Sequence, residues 1–101
     1  MLFVVTEALA GPAVERWGRT LAEGAARRPD HLVVDLHRCP HVDAAAIDLL
    51  LLVHRRLLSA GGRLTLRAPG PRVRRMFELA RVGRVLHVED ASPGPARAGL
   101  R

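Results

Sequence analysis

Apolar residues in this chain gather in short runs that alternate between two spacings. Leu2-Phe3-Val4-Val5-Thr6 is brief, apolar and partly β-branched, which predicts an opening strand placed at a sheet edge. Gly11-Pro12 then leads into Val14, Trp17, Leu21 and Ala25 at helical spacing. With Pro12 suited to a first turn and Pro29 as a stop, a helix is predicted over residues 12–28. His31-Leu32-Val33-Val34-Asp35-Leu36 reads as a strand that is central in its sheet and buried on both faces. Asp43 directly precedes Ala44 to Ala60, a stretch of strong helix formers closed by Gly61-Gly62, and is the natural N-cap of that helix. Arg63-Leu64-Thr65-Leu66-Arg67 alternates as a half-buried strand does. Ala68-Pro69-Gly70-Pro71 turns into a third helix, to Arg81, with Val73, Met76, Phe77 and Ala80 as its apolar stripe. Gly83 separates it from a last strand, Arg84 to Val88.

Strand and helix by turns predict an α/β domain over residues 1–90, in which right-handed crossovers lay helices over a largely parallel sheet. Phe3, Trp17, Met76 and Phe77 are assigned to its core. From Ala91 the chain turns to Ala, Ser, Pro, Gly and Arg without periodicity, and residues 91–101 are expected to form a disordered tail.

A length of 101 residues suits one domain and not two. With 49% hydrophobic and 26% charged residues the chain can bury enough apolar surface to fold. All 16 of its basic residues are arginine, and the net charge of +6 raises the question of an acidic partner or nucleic acid. Arg72, Arg74, Arg75, Arg81 and Arg84 give the third helix and its exit a basic outer face. A phosphate track would want aromatic platforms between such charges, and Phe3, Trp17 and Phe77 are all read as buried, so nucleic-acid binding is not expected. The single Cys39 excludes an intrachain disulfide. The start carries no basic n-region, and the longest apolar run, Leu49 to Val53, falls short of the ~18 residues of a membrane span. A cytoplasmic protein without membrane insertion is expected.

The stretch from Leu32 to Asp90 resembles the STAS domain of bacterial anti-sigma factor antagonists, in register and without gaps. The matching pieces are Val33-Val34-Asp35-Leu36, Val42-Asp43 before a Leu-rich helix, Gly61-Gly62-Arg63-Leu64, the run Pro71 to Leu79, and Val85-Leu86-His87-Val88. The resemblance implies a four- to five-stranded mixed sheet with helices packed mainly on one side. Compared with that family the N-terminus is short, so the first strand of its opening pair is absent or replaced. The family's function would make the chain a non-enzymatic regulator that binds an anti-sigma factor, a histidine-kinase-like switch kinase, and so frees a sigma factor. In the family a serine directly after the aspartate accepts a phosphate from that kinase. Here Ala44 stands at that position, followed by Ala45 and Ala46, and none of the three has a hydroxyl to phosphorylate. Two readings follow: an antagonist always competent to bind, or a diverged scaffold or regulatory subunit of a stress-sensing or transporter assembly.

On a helical wheel Asp48, Arg55 and Ser59 fall in one narrow arc with Ala44 beside them, and Leu52 lies among them despite being apolar. Leu52 is therefore expected to be exposed, and Asp43, Ala44, Ala45, Asp48, Leu52 and Arg55 are the candidate partner-binding residues. His37, Cys39 and His41 carry zinc-type donors at alternate positions, but an extended segment converges poorly on one tetrahedral centre and no fourth ligand is evident, so no metal is assigned. His54 and His87 read as satisfied structural histidines, Cys39 as a packed residue without a base partner, and no phosphate-binding glycine loop is present. Neither a catalytic residue nor a cofactor is expected. A homodimer stays open, because an exposed edge at the first strand would be a pairing site for another chain.

Overall fold

A computed structural model describes residues 1–90; residues 91–101, where a tail is expected, lie outside the described residues. The order is β1 (Leu2–Val4), α1 (Pro12–Ala26), β2 (His31–Asp35), α2 (Ala44–Ser59), β3 (Arg63–Arg67), α3 (Pro71–Ala80) and β4 (His87–Glu89). The sheet runs β1-β2-β3-β4, and every neighbouring pair is parallel. The expected mixed sheet is thus corrected: among the described residues no antiparallel strand occurs, and β1 takes the edge directly. Each connection steps one strand in the same direction, and a right-handed crossover repeated that way sets all three helices on one face.

Between sheet and helices lies the core, with Leu21 from α1, Leu32, Val34 and Leu36 from around β2, Leu50, Val53 and Leu57 from α2, Leu64 and Leu66 from β3, and Val73 and Phe77 from α3. Phe3 and Trp17, expected to be buried, are half-buried against this cluster, and so is Met76. Gly24 of α1 lets the Phe3 ring approach closely; a Cβ there would sit 2.8 Å from the ring, which would have to shift.

The sheet's other face carries Leu2, Val4, His31, Val33, Asp35, Arg63, Thr65, Arg67, His87 and Glu89, so β2 is not covered on both faces as expected. Polar side chains close part of it. A His31 ring nitrogen lies 2.6 Å from the Thr65 hydroxyl, and Asp35 meets His37 Nδ1 at 2.8 Å and Arg67 Nε at 3.8 Å. Thr65 and Asp35 are buried beneath them. Burial raises the Asp35 pKa, but the hydrogen bonds from His37 and the charges of His37 and Arg67 outweigh it and leave the carboxyl below its ordinary 3.8.

Two boundaries differ from the sequence reading. α1 ends at Ala26 because Arg28 enters the left-handed region at φ 52°, two residues before the expected stop. β4 begins at His87, since the amides of Val85 and Leu86 both turn back to the Val82 carbonyl, at 3.0 and 2.8 Å, and cannot join a ladder. His87 is exposed on the uncovered face, 3.7 Å from Glu89, and His54 keeps a buried Nδ1 without a hydrogen-bond partner; neither is the satisfied structural histidine expected.

Candidate partner-docking site at the start of the second helix

Two loops at the carboxyl ends of β1 and β2 meet and build the start of α2. Leu9 and Val42, both fully buried, form a parallel bridge in which the Leu9 amide donates to the His41 carbonyl at 2.9 Å and the Asp43 amide to the Leu9 carbonyl at 3.2 Å. Asp43 is extended at φ −101°, ψ 179°, as an N-cap must be, and its Oδ1 accepts from the Ala46 amide at 2.9 Å. Its Oδ2 accepts from the Gly11 amide at 3.0 Å, which ties the cap to the start of α1. Hydrogen bonds from the Gly11 and Ala46 amides favour the charged form and hold the Asp43 carboxyl below its ordinary 3.8.

The first loop is pinned from its other side. Glu7 accepts from Trp17 Nε1 at 3.0 Å and from the Arg16 guanidinium at 2.8 Å, so the half-buried indole anchors the loop as well as packing on the core. The Cys39 thiol donates to the His41 carbonyl at 3.3 Å, and burial raises its pKa. His37 turns instead to Asp35. The His37 imidazole and the Cys39 thiol therefore serve different contacts, and among the described residues no three His, Cys, Asp or Glu side chains group as metal ligands would.

On this frame α2 buries Ala46, Ile47, Leu50, Val53 and Leu57, and its opposite side shows Ala44, Ala45, Asp48, Leu52 and Arg55 to solvent. Leu52 is 42% exposed, as its wheel position requires. Asp43 is different in kind from the other candidates: both carboxylate oxygens are already used inside the fold, which makes it a positioning residue. A neighbouring feature escaped the sequence reading. Between α2 and the end of α3 runs a shallow groove lined by Ala44, Ile47, Asp48, Leu51, Met76 and Leu79, with Leu79 66% exposed. Its signal is faint, because Leu79 falls outside the apolar stripe of Val73, Met76, Phe77 and Ala80 and reads as a single exposed residue. Those arginines are mostly solvated, but Arg74 is half-buried, donating from Nε to the Pro69 carbonyl at 3.2 Å and pairing with Asp90.

A family model described as Mlab, STAS domain, matches residues 5–88. The chain belongs to the STAS-domain family. Solved structures agree on the fold. TM1081 of Thermotoga maritima, a candidate anti-sigma factor antagonist, superposes with TM-score 0.81 at 14% identity, covering 99% of this chain and 88% of that one. The anti-sigma factor antagonist SpoIIAA in its unphosphorylated form gives TM-score 0.79 at 23% identity, over 99% of this chain and 86% of that one. The solution structure of TM1081 gives 0.77 at 14% identity, over 99% and 81%. No curated protein matches the chain. This STAS domain therefore has the architecture of the anti-sigma factor antagonists, and no helix among its described residues is long and apolar enough to cross a membrane.

Proposed function

We propose that this STAS domain is a non-enzymatic partner-switching regulator that docks on an anti-sigma factor of the histidine-kinase-like type through the exposed stripe of α2. The observation that carries the reading is the pairing of a firmly built helix start with a side-chain surface that the fold does not use. Asp43 spends both oxygens on the frame, while Ala44, Ala45, Asp48, Leu52 and Arg55 stand clear of the core. A leucine 42% exposed amid charges gives a partner an apolar anchor, with Asp48 and Arg55 to set its register. A phosphate would bring about −1.5 to −2 charges onto this surface. Ala44 offers no hydroxyl to take it, so docking would persist whatever the state of the kinase.

The test is titration of the purified full chain against the anti-sigma kinase encoded nearest to it, with and without ATP. Binding should be the same in both conditions. Leu52→Asp should abolish it while the thermal midpoint stays in place. ATP-dependent release, or unfolding of Leu52→Asp, would sink the reading. Co-purification with transporter or other large-assembly subunits in place of a kinase would favour the scaffold role.

A further inference from the structure

The sheet has two edges, and among the described residues only one is guarded. β4 ends it with His87 and Glu89 exposed and 3.7 Å apart. Charged edges of this kind resist pairing with another strand. β1 is Leu2-Phe3-Val4, with no charge, proline or bulge, and Leu2 and Val4 are 54% and 37% exposed. The Met1 carbonyl accepts from the Val33 amide at 2.8 Å and the Val5 amide donates to Asp35 at 3.0 Å, so the odd-numbered residues bond inward to β2. By the alternation of a strand, the N–H and C=O groups of Leu2 and Val4 point away from the sheet.

We propose that β1 is the docking edge for a second copy of this chain, paired antiparallel about a two-fold axis at Phe3 into one continuous sheet. In that register Leu2 of each copy lies opposite Val4 of the other, and the two exchange N–H to C=O bonds in both directions. Their side chains meet as an apolar cross-strand pair on the uncovered face. The flanking surface suits a self-complementary contact. Thr20, Glu23, Gly24 and Arg27 of α1 overhang Met1, Leu2 and Phe3, and Gly24 is level with the Phe3 ring. Antiparallel meeting about that level sets Glu23 of one copy towards Arg27 of the other. The chain as a whole carries +6, but on the uncovered face Asp35 and Glu89 offset Arg63 and Arg67, so a second copy is not repelled there. α2 crosses between β2 and β3, away from this edge, so the inference goes beyond the partner-docking reading and does not compete with it.

The experiment is sedimentation velocity with light scattering on the full chain, free of any N-terminal tag, from micromolar to millimolar concentration. The mass should rise from 11.0 kDa towards twice that value. Val4→Lys should stay monomeric over the same range with an unchanged thermal melt. Leu2→Lys combined with Val4→Asp should restore the dimer, because the register sets opposite charges against each other at both pairs. A wild-type chain monomeric throughout, a dimer indifferent to Val4→Lys, or no rescue by the double variant would overturn the proposal. Leu52→Asp should leave the dimer intact whatever it does to partner binding, so the two readings fail separately.

Discussion

α2 and α3 do the same topological work, each carrying the chain back across the sheet to a parallel neighbour, yet their ends are built differently. α2 starts on a side-chain cap that reaches into a second loop, through bonds of 2.9 and 3.0 Å to Ala46 and Gly11. It ends in a Schellman arrangement, with the Gly62 amide on the Leu57 carbonyl at 2.8 Å and the Gly61 amide on Leu58 at 3.1 Å. Gly61 holds the left-handed conformation there at φ 86°. α3 starts on Pro71 without a side-chain cap; its end makes the same pair of bonds, from the Val82 amide to Phe77 at 3.2 Å and the Arg81 amide to Glu78 at 3.1 Å, but there Arg81 takes the left-handed position at φ 57°, a conformation that costs an L-residue roughly 1–2 kcal/mol. A helix secured at both ends can carry on its outer side residues that contribute nothing to folding. That freedom is what a docking surface requires, and it is why the candidate site sits on α2.

Substitutions at four positions bear on this contrast, in falling order of their effect on stability. Gly62→Ala should be the most damaging, because its Cβ would lie 2.3 Å from the Pro29 carbonyl oxygen and backbone must move. A loss of about 1–3 kcal/mol in urea unfolding is expected, and an unchanged midpoint would show that α2 does not depend on that close approach. Asp43→Ala should cost about 1 kcal/mol through the lost cap. Because the Asp43 pKa is lowered in the fold, its stabilisation is complete above the ordinary 3.8 and fades as pH falls through the folded value. Asp43→Asn, which keeps one oxygen for the Ala46 amide but sets an N–H against the Gly11 amide, should keep only part of the neutral-pH stability and flatten the acid limb of the melting curve, leaving the part due to Asp35. Arg81→Gly should move the other way and stabilise α3 by about 0.5–1 kcal/mol, since glycine takes its φ without strain. Destabilisation instead would mean that the Arg81 side chain supports the end of α3. Leu52→Asp should leave stability within about ±0.5 kcal/mol while removing partner binding, so the smallest structural effect goes with the largest functional one.

Much of the fold was legible in local pattern. Helical spacing in Val14, Trp17, Leu21 and Ala25, the apolar run around Val34 and the Gly61-Gly62 stop placed α1, β2 and α2 within a residue or two, and the wheel position of Leu52 foretold its exposure. Val85 and Leu86 look like strand residues and place the start of β4 three residues early, whereas their amides are taken by the Val82 carbonyl. His54 lies on a helix whose pattern is satisfied, so nothing in that pattern tells that its Nδ1 finds no partner.

Asp43 as a cap and an exposed leucine two turns along α2 were determined by the sequence alone, because each depends on residue identity and helical periodicity. Three things only the tertiary structure decided: the second bond from Gly11 that joins two loops at Asp43, the groove that Leu79 adds beside Ala44, and the all-parallel pairing of the sheet. Each depends on which distant segments become neighbours. That is set by the handedness of the crossovers and by packing over the whole core, and no single stretch of chain encodes it.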